Sequence, residues 1–208
     1  MIIFSRHNQV LMICLLLNLF VEWGKTSPAR LFNICIIEKT IPHELNVERF
    51  RLLVEIAVET YRPFTGLNFK INCKNPKMYI SFVDKDHNRY SHPSSPIEKC
   101  DDLPNNVLAH AFYPPGYDIH ISKNKRFNFG LSIETVSSFH YKKSDSHYYI
   151  TLVKSFPLLP IIIHEMGHSM GLKHSTEKDS VMVEDNLMNL GLTMKDINTL
   201  EELWKHES

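Results

Sequence analysis

The 208-residue sequence lacks an excess of charge of either sign, because 23 Lys and Arg residues stand against 23 Asp and Glu residues. Surfaces that bind nucleic acid or a charged membrane usually carry a net charge, so neither partner is expected. The sequence also lacks an internal repeat and a linker between two domains. Its length is typical of one domain with its own core, and we expect a monomer.

The sequence has no apolar run long enough for a comfortable membrane span. The run Val10–Val21 has the length of the apolar region of a signal peptide and follows a weakly basic start. We therefore expect residues 1–29 to be a signal peptide cleaved between Gly24 and Arg30. Residues 30–208 would then be a secreted domain without stable membrane association. A signal anchor that stays attached is the alternative.

Cysteine is scarce, with four residues in the chain. Cys14 lies in the signal region, which leaves Cys35, Cys73 and Cys100 in the mature domain. An oxidising compartment favours one disulfide and one remaining thiol. We predict a Cys73–Cys100 bridge, because both residues fall at strand ends or in loops, whereas Cys35 lies within an apolar run.

One stretch of the chain carries a pattern of metal ligands, the H-E-x-x-H-x-x-G-x-x-H sequence that begins at His164. His164 and His168 are four residues apart, so a helix places both on one face. Gly171 can end that helix in a left-handed turn, after which His174 can reach the same ion. Three neutral imidazoles leave a fourth position open, which is typical of catalytic zinc. Glu165 is the expected general base.

The short H-E-x-x-H pattern occurs by chance, but the longer pattern fixes three histidines, a glutamate and a glycine at once. It is the metzincin signature, which is followed by a Met-turn. Met182, in the segment Ser180–Val183, is the candidate for that turn. A methionine here would otherwise be interpreted as ordinary core filler.

The remaining sequence indicates mixed secondary structure. We predict strands at 31–38, 67–71, 78–83, 107–113 and 117–122, an extra hairpin within 133–155, and helices at 46–61, 157–171 and 193–206. Asn46 and Thr193 are the predicted N-caps of the first and last helices. Pro63 is expected to stop the first helix.

Several segments give the chain a resemblance to the catalytic domain of matrix metalloproteinases, the matrixins. They are 78–83 followed by His87, Leu108–Gly116, Asp118–His120, the pair His174-Ser175, and Leu192–Ile197. The resemblance covers nearly all of the mature chain. It implies an α+β fold with a mixed, twisted five-stranded sheet and three helices.

The resemblance also implies a second, structural zinc bound by one Asp and three His residues. His87, His110 and His120 match three of these ligands, but the Asp position is Arg89, which cannot ligate zinc. Either the site is lost or another residue replaces the Asp. The candidates for that replacement are Asp84, Asp86 and His92.

The family's calcium loop is shortened here, and its later acidic ligands fall at Ser122 and Lys123. Calcium needs several oxygen ligands, so at least one calcium site is expected to be missing. The sequence also lacks the P-R-C-G-x-P-D segment of the family's cysteine switch. We therefore expect a bare catalytic domain without that switch or a hemopexin domain.

The resemblance and the zinc motif together predict a secreted zinc endopeptidase that acts on protein or peptide substrates. The substrate would lie antiparallel to the edge strand at Leu108 and Ala109. Pro160 and residues 183–186 would line the specificity pocket. The alternative is a catalytically silent binding module with the same fold. A metzincin of another branch, such as the astacin type, is disfavoured by His174-Ser175 and Leu108–Gly116.

Overall fold

The structure is a computed structural model that describes residues 30–85, 103, 106–142, 147–184 and 189–205. The predicted signal peptide lies outside these residues, as do His87, Arg89 and Cys100. Within the described part of the chain, no helix combines the length and the apolar character needed to cross a membrane.

Three α-helices and eight strands form the part of the domain that the structure describes. The helices are α1 (Val47–Thr65), α2 (Leu158–Ser169) and α3 (Met194–Trp204). The strands are β1 (Leu31–Ile36), β2 (Asn68–Ile71), β3 (Met78–Val83), β4 (Ala109–Ala111), β5 (Ile119–Ser122), β6 (Arg126–Asn128), β7 (Glu134–Lys142) and β8 (His147–Pro157), and a 3-10 turn spans Glu38–Thr40.

The main sheet has five strands in the order β2-β1-β3-β5-β4. All neighbouring pairs are parallel except β4 and β5, which are antiparallel. Helices α1 and α2 pack against each other and contribute buried apolar residues to the same core as the sheet. The expected α+β architecture, with a mixed five-stranded sheet and three helices, is confirmed.

Helix α1 begins as predicted but ends later. The side chain of Asn46 accepts a 2.8 Å hydrogen bond from the backbone N–H of Arg49, which caps the first turn. The helix does not stop at Pro63 and continues to Thr65. Pro63 lies in the last turn, where one lost backbone bond is tolerated, and Gly66 supplies the left-handed C-cap with φ 66°.

A second sheet, in the order β6-β8-β7, contains the predicted extra hairpin. Strands β7 and β8 pair antiparallel, with Phe139 opposite Ile150. Strand β6 was not predicted from the sequence; it has three residues and pairs parallel with the end of β8. Since β8 runs directly into Leu158, this sheet sets where α2 begins.

The disulfide joins Cys35 and Cys73, so the predicted Cys73–Cys100 bridge is wrong. The parallel pairing of β1 with β2 explains the difference, because Ile34 lies opposite Ile71. Cys35 is the next residue of β1, and Cys73 follows two residues after Ile71, where the chain leaves β2. This places the two cysteines side by side, with a Cα–Cα distance of 4.4 Å. A strand position within an apolar run therefore did not exclude Cys35 from the bridge.

Candidate metal centre

Helix α2 carries the first two histidines of the motif on a scaffold that is almost entirely buried. Leu158, Ile162 and Met166 are fully buried and fix the helix against the core. The ring centroids of His164 and His168 lie 4.8 Å apart. The helix therefore presents two imidazoles side by side, with His164 half-buried and His168 buried, as the i, i+4 spacing predicts.

A tight turn after α2 brings in the third histidine. Gly171 adopts φ 98°, a left-handed conformation that favours glycine, and its N–H donates to the carbonyl of His168 at 2.9 Å. The ring of His174 then lies 5.3 Å from that of His164 and 4.7 Å from that of His168. One nitrogen of each ring lies within 4.8 Å of the others, so the three side chains could hold one metal ion.

The hydrogen bonds of two rings determine which nitrogen faces the ion. His164 Nδ1 lies 2.8 Å from the carbonyl of Val181, and His168 Nδ1 lies 2.8 Å from the carbonyl of Leu172. A carbonyl only accepts, so each Nδ1 carries the proton and each Nε2 keeps its lone pair for a metal. This donor set, three imidazoles of which two have fixed tautomers, fits zinc.

Burial also favours the neutral form of these rings. It lowers the pKa of His168 to about 4 and lowers the pKa of His164 below its ordinary value. Neutral imidazole is the form that binds a metal. The two helical ligands are therefore ready to bind an ion at neutral pH.

Glu165 follows His164 on α2 and faces a cleft beside the three rings. Its exposed fraction is 7%, and burial raises the pKa of its carboxyl to about 8. A bound cation would lower that pKa again, since an opposite charge favours the carboxylate. A carboxyl that can change protonation state near neutral pH is suited to general acid–base chemistry.

Met182 is fully buried and packs against α2 at Gly167, which lies between the two helical histidines in sequence. A Cβ atom added to Gly167 would collide with the Met182 sulfur and would lie 2.8 Å from Tyr61 Oη. Tyr61 in turn donates a 2.7 Å hydrogen bond to the carbonyl of Ile163 on α2. The absence of a side chain at Gly167 therefore allows the methionine to lie directly under the helix.

Helix α3 supports the loops that complete the centre. Ser180, two residues before Met182, donates a 2.7 Å hydrogen bond to Asp196 Oδ2. Asp196 also forms the capping box with Thr193, as the predicted N-cap requires. Trp204 Nε1 donates to the carbonyl of Met170 at 3.0 Å, next to the turn at Gly171.

The cleft has a volume of about 430 Å³, within the usual range for ligand pockets. It is lined by Asn106, Val107, Leu108, Ala109, Ile161, His164, Glu165, His174 and Glu184. The predicted substrate residues Leu108 and Ala109 thus lie at the cleft. Pro160 is buried in the first turn of α2, and its neighbour Ile161 lines the cleft instead.

The expected second zinc site is only partly within the described residues. His110 on β4 lies opposite His120 on β5, and His110 Nε2 is 3.0 Å from His120 Nδ1. His87, Arg89, Asp86 and His92 lie outside the described residues. Asp84 pairs with the ammonium of Lys123 at 3.3 Å, beside the shortened calcium loop.

Several residues around the centre were not predicted from the sequence. The hydroxyl of Tyr113 lies 3.3 Å from His168 Nδ1, and the two rings meet edge to face at 5.5 Å. Tyr61 and Asp196 were also missed. None of the three belongs to a metal motif, and each reaches the centre through a contact that is distant in sequence, so sequence spacing carried no signal for them.

Comparison with known proteins agrees with the geometry. A family model described as Matrixin matches residues 27–205. The chain is 28% identical to matrix metalloproteinase-2 of Drosophila melanogaster over 77% of its length, and 29% identical to human matrix metalloproteinase-20 over 70%. It is 31% identical to matrix metalloproteinase-23 of Bos taurus over 53% of its length.

The chain spans only 18%, 25% and 24%, respectively, of the lengths of these three relatives. The similarity is therefore to one portion of much longer proteins. The family match covers most of the chain and includes the helix, the turn and the three histidines described above. The chain belongs to the matrixin family of zinc metalloproteases.

Proposed function

We propose that the domain is a secreted zinc endopeptidase that hydrolyses peptide bonds in extracellular proteins. The observation that carries the proposal is the grouping of His164, His168 and His174 with Glu165 at an open cleft. A zinc ion held by the three histidines would supply a Lewis acid that polarises the scissile carbonyl. Glu165 would take a proton from the attacking water and pass it to the leaving amine.

The edge strand β4 supports a way of holding the substrate. Leu108 O accepts from Ser122 N, and Phe112 N donates to Asp118 O, so alternate residues of this strand turn toward β5. The backbone groups of Ala109 and Ala111 therefore point away from β5, at the open edge of the sheet. A peptide added antiparallel to β4 could use these groups for main-chain hydrogen bonds.

The disulfide supports secretion. Cys35 and Cys73 form a disulfide. Disulfides form and persist in oxidising compartments and are rare where thiols are kept reduced. The apolar run Val10–Val21 is the segment proposed to direct the chain there. We further propose a monomer that has no nucleic-acid partner and no stable attachment to the membrane.

The proposal is tested by incubating purified residues 30–208 with gelatin and with a quenched generic peptide. We expect cleavage that stops when a chelator is added and returns with zinc. Glu165→Ala should retain metal and lose most turnover, whereas His168→Ala should lose the metal. If the native chain binds zinc but cleaves neither substrate, the endopeptidase is contradicted, and the silent binding module becomes the better interpretation.

The same preparation tests the second zinc. Two nitrogens bound to one tetrahedral zinc lie about 3.3 Å apart, close to the 3.0 Å between His110 Nε2 and His120 Nδ1. We propose that these rings hold a structural zinc with ligands from the 84–92 segment. Metal analysis should give two zinc ions per chain, reduced by one in His120→Ala. One ion in the native chain would mean that the site is lost.

A further inference from the structure

The cleft beside Glu165 contains a second carboxylate, on Glu184, that the general mechanism does not use. Glu184 lies two residues after Met182, and its side chain is 75% exposed. Its Oε2 atom lies 3.7 Å from His174 Nδ1, too far for a good hydrogen bond. The carboxylate therefore lies beside the metal ligands and remains available to a molecule that enters the cleft.

This carboxylate has no Lys or Arg partner among the described residues of the cleft. Among the described residues that line it, Glu165 and Glu184 are acidic and none is Lys or Arg. The remaining wall includes the apolar side chains of Val107, Leu108 and Ile161. A long side chain with an apolar stem and a cationic end matches this combination, because the stem packs on the wall and the charge reaches the carboxylate.

The strand direction assigns the cleft to one side of the scissile bond. The cleft is lined by residues 106–109, at the start of β4, whereas Tyr113, beyond its end, contacts His168. A peptide antiparallel to β4 runs in the opposite direction, so its C-terminal part lies along residues 106–109. The side chain that enters the cleft is therefore on the leaving-amine side of the cleaved bond.

On the basis of the proposed endopeptidase function, we propose that Glu184 makes the enzyme select substrates with lysine or arginine immediately after the cleaved bond. Binding of the cation by Glu184 would be a local charge interaction with an exposed carboxylate. An exposed ion pair of this kind favours a charged side chain over an uncharged one of the same length by up to about fivefold. Screening by salt should reduce the preference.

The test uses three quenched peptides that differ only in the residue after the cleaved bond, which is lysine, norleucine or glutamate. Norleucine has the apolar stem of lysine without its charge. We expect kcat/KM in the order lysine, norleucine, glutamate, with about fivefold between the first two at low salt. Glu184→Gln should make the lysine and norleucine peptides equal, and Glu184→Lys should favour the glutamate peptide.

Glu177→Gln is the matched control. It removes the same charge from an exposed glutamate of the same segment that does not line the cleft, and it should keep the lysine preference. Equal cleavage of all three peptides by the native chain would overturn the proposal. So would an equal loss for all three peptides in Glu184→Gln, because that result would mean that Glu184 acts only by positioning His174.

A binding measurement separates this proposal from the proposed peptidase activity. The three peptides are titrated into the zinc-loaded Glu165→Gln variant, and affinity is read by fluorescence polarisation. Tighter binding of the lysine peptide, lost on further substitution Glu184→Gln, would support charge selection even if the native chain cleaved nothing. Equal affinities for the three peptides would reject it, whatever the activity of the native chain.

Discussion

Ser180 and Asp196 share a buried 2.7 Å hydrogen bond that ties the segment beneath the histidines to the first turn of α3. The same Oδ2 atom accepts from the backbone N–H and the hydroxyl of Thr193. One carboxylate oxygen thus binds both the N-cap residue of α3 and the serine two residues before Met182.

Replacing this carboxylate should weaken both the fold and the metal centre. Asp196→Ala leaves the Ser180 hydroxyl and the Thr193 donors without their acceptor, and we expect a loss of about 1–3 kcal/mol in the free energy of unfolding. Zinc should also dissociate faster, because Met182 N donates to Ser180 Oγ at 2.9 Å. Chemical denaturation and chelator-driven release measure the two effects. Glu201→Ala, on the exposed face of α3, should change neither.

The close contact of Gly167 with Met182 should show as a coupling between two substitutions. Gly167→Ala places a methyl group against the methionine sulfur and should destabilise the domain by about 1–3 kcal/mol. Met182→Ala should cost about 2–5 kcal/mol through the cavity that it leaves. In the double variant the added methyl group occupies part of that cavity, so the measured loss should be smaller than the sum. Strict additivity would contradict the contact.

The buried carboxyl of Glu165 should make the metal-free domain less stable as the pH rises. Its pKa is about 8 in the fold and about 4.5 in the unfolded chain. Below pH 4.5 both states are protonated, and between 4.5 and 8 only the unfolded state loses the proton, so unfolding is increasingly favoured.

In the presence of a chelator, Glu165→Gln should therefore be more stable than the native chain at pH 8, by about 4 kcal/mol. At pH 4 the difference should vanish. His168 has a pKa of about 4 in the fold and 6.5 in the unfolded chain, so acidification from about pH 6.5 to about pH 4 favours unfolding. This effect is the same in the native chain and in Glu165→Gln, so it cancels from their difference in stability. Thermal unfolding of the two proteins at pH 4 and at pH 8 measures this difference in stability. An equal difference at both would show that the carboxyl is not the cause.

Breaking the Cys35–Cys73 bridge should destabilise the domain. The bond closes a loop with a sequence separation of 38 residues, for which chain entropy predicts about 4 kcal/mol. Cys73→Ser should lower the denaturation midpoint, and reduction of the native chain should lower it similarly. A reductant that leaves the native midpoint unchanged would show that the bridge is not formed in solution.

Tyr113 should affect metal affinity through His168. When Nε2 binds the ion, the Nδ1 proton is shared between the carbonyl of Leu172 at 2.8 Å and the Tyr113 hydroxyl at 3.3 Å. Tyr113→Phe removes only the weaker acceptor, and zinc affinity should fall by up to about tenfold. Tyr113→Leu also removes the ring contact and should cost more. Competition with a chromogenic chelator measures both, and unchanged affinities would exclude the role.

The grouping of the three histidines could be predicted because it depends on local geometry. Helical spacing joins His164 to His168, and the conformational freedom of Gly171 turns the chain back toward His174. The order of helices and strands could also be predicted from periodicity and from the family resemblance. The cap at Thr193 is another local feature, since the capping box lies within one turn of helix.

The features that could not be predicted depend on contacts between distant parts of the chain. The Cys35–Cys73 bridge follows from the parallel pairing of β1 with β2, which no local pattern specifies. Strand β6 has three residues and exists because it pairs with the end of β8. The role of Asp196 beneath the centre likewise needs the docking of α3 onto the Met182 segment.

The hydrogen bond from Trp204 to the carbonyl of Met170 has a consequence for when the metal centre forms during synthesis. The ribosome completes all three histidines and Glu165 before it makes α3, which supports their loops through Trp204 and Asp196. We expect a nascent chain that stops at residue 192 to bind zinc poorly and to cleave nothing. In the proposed peptidase, catalysis would then begin only after α3 has docked.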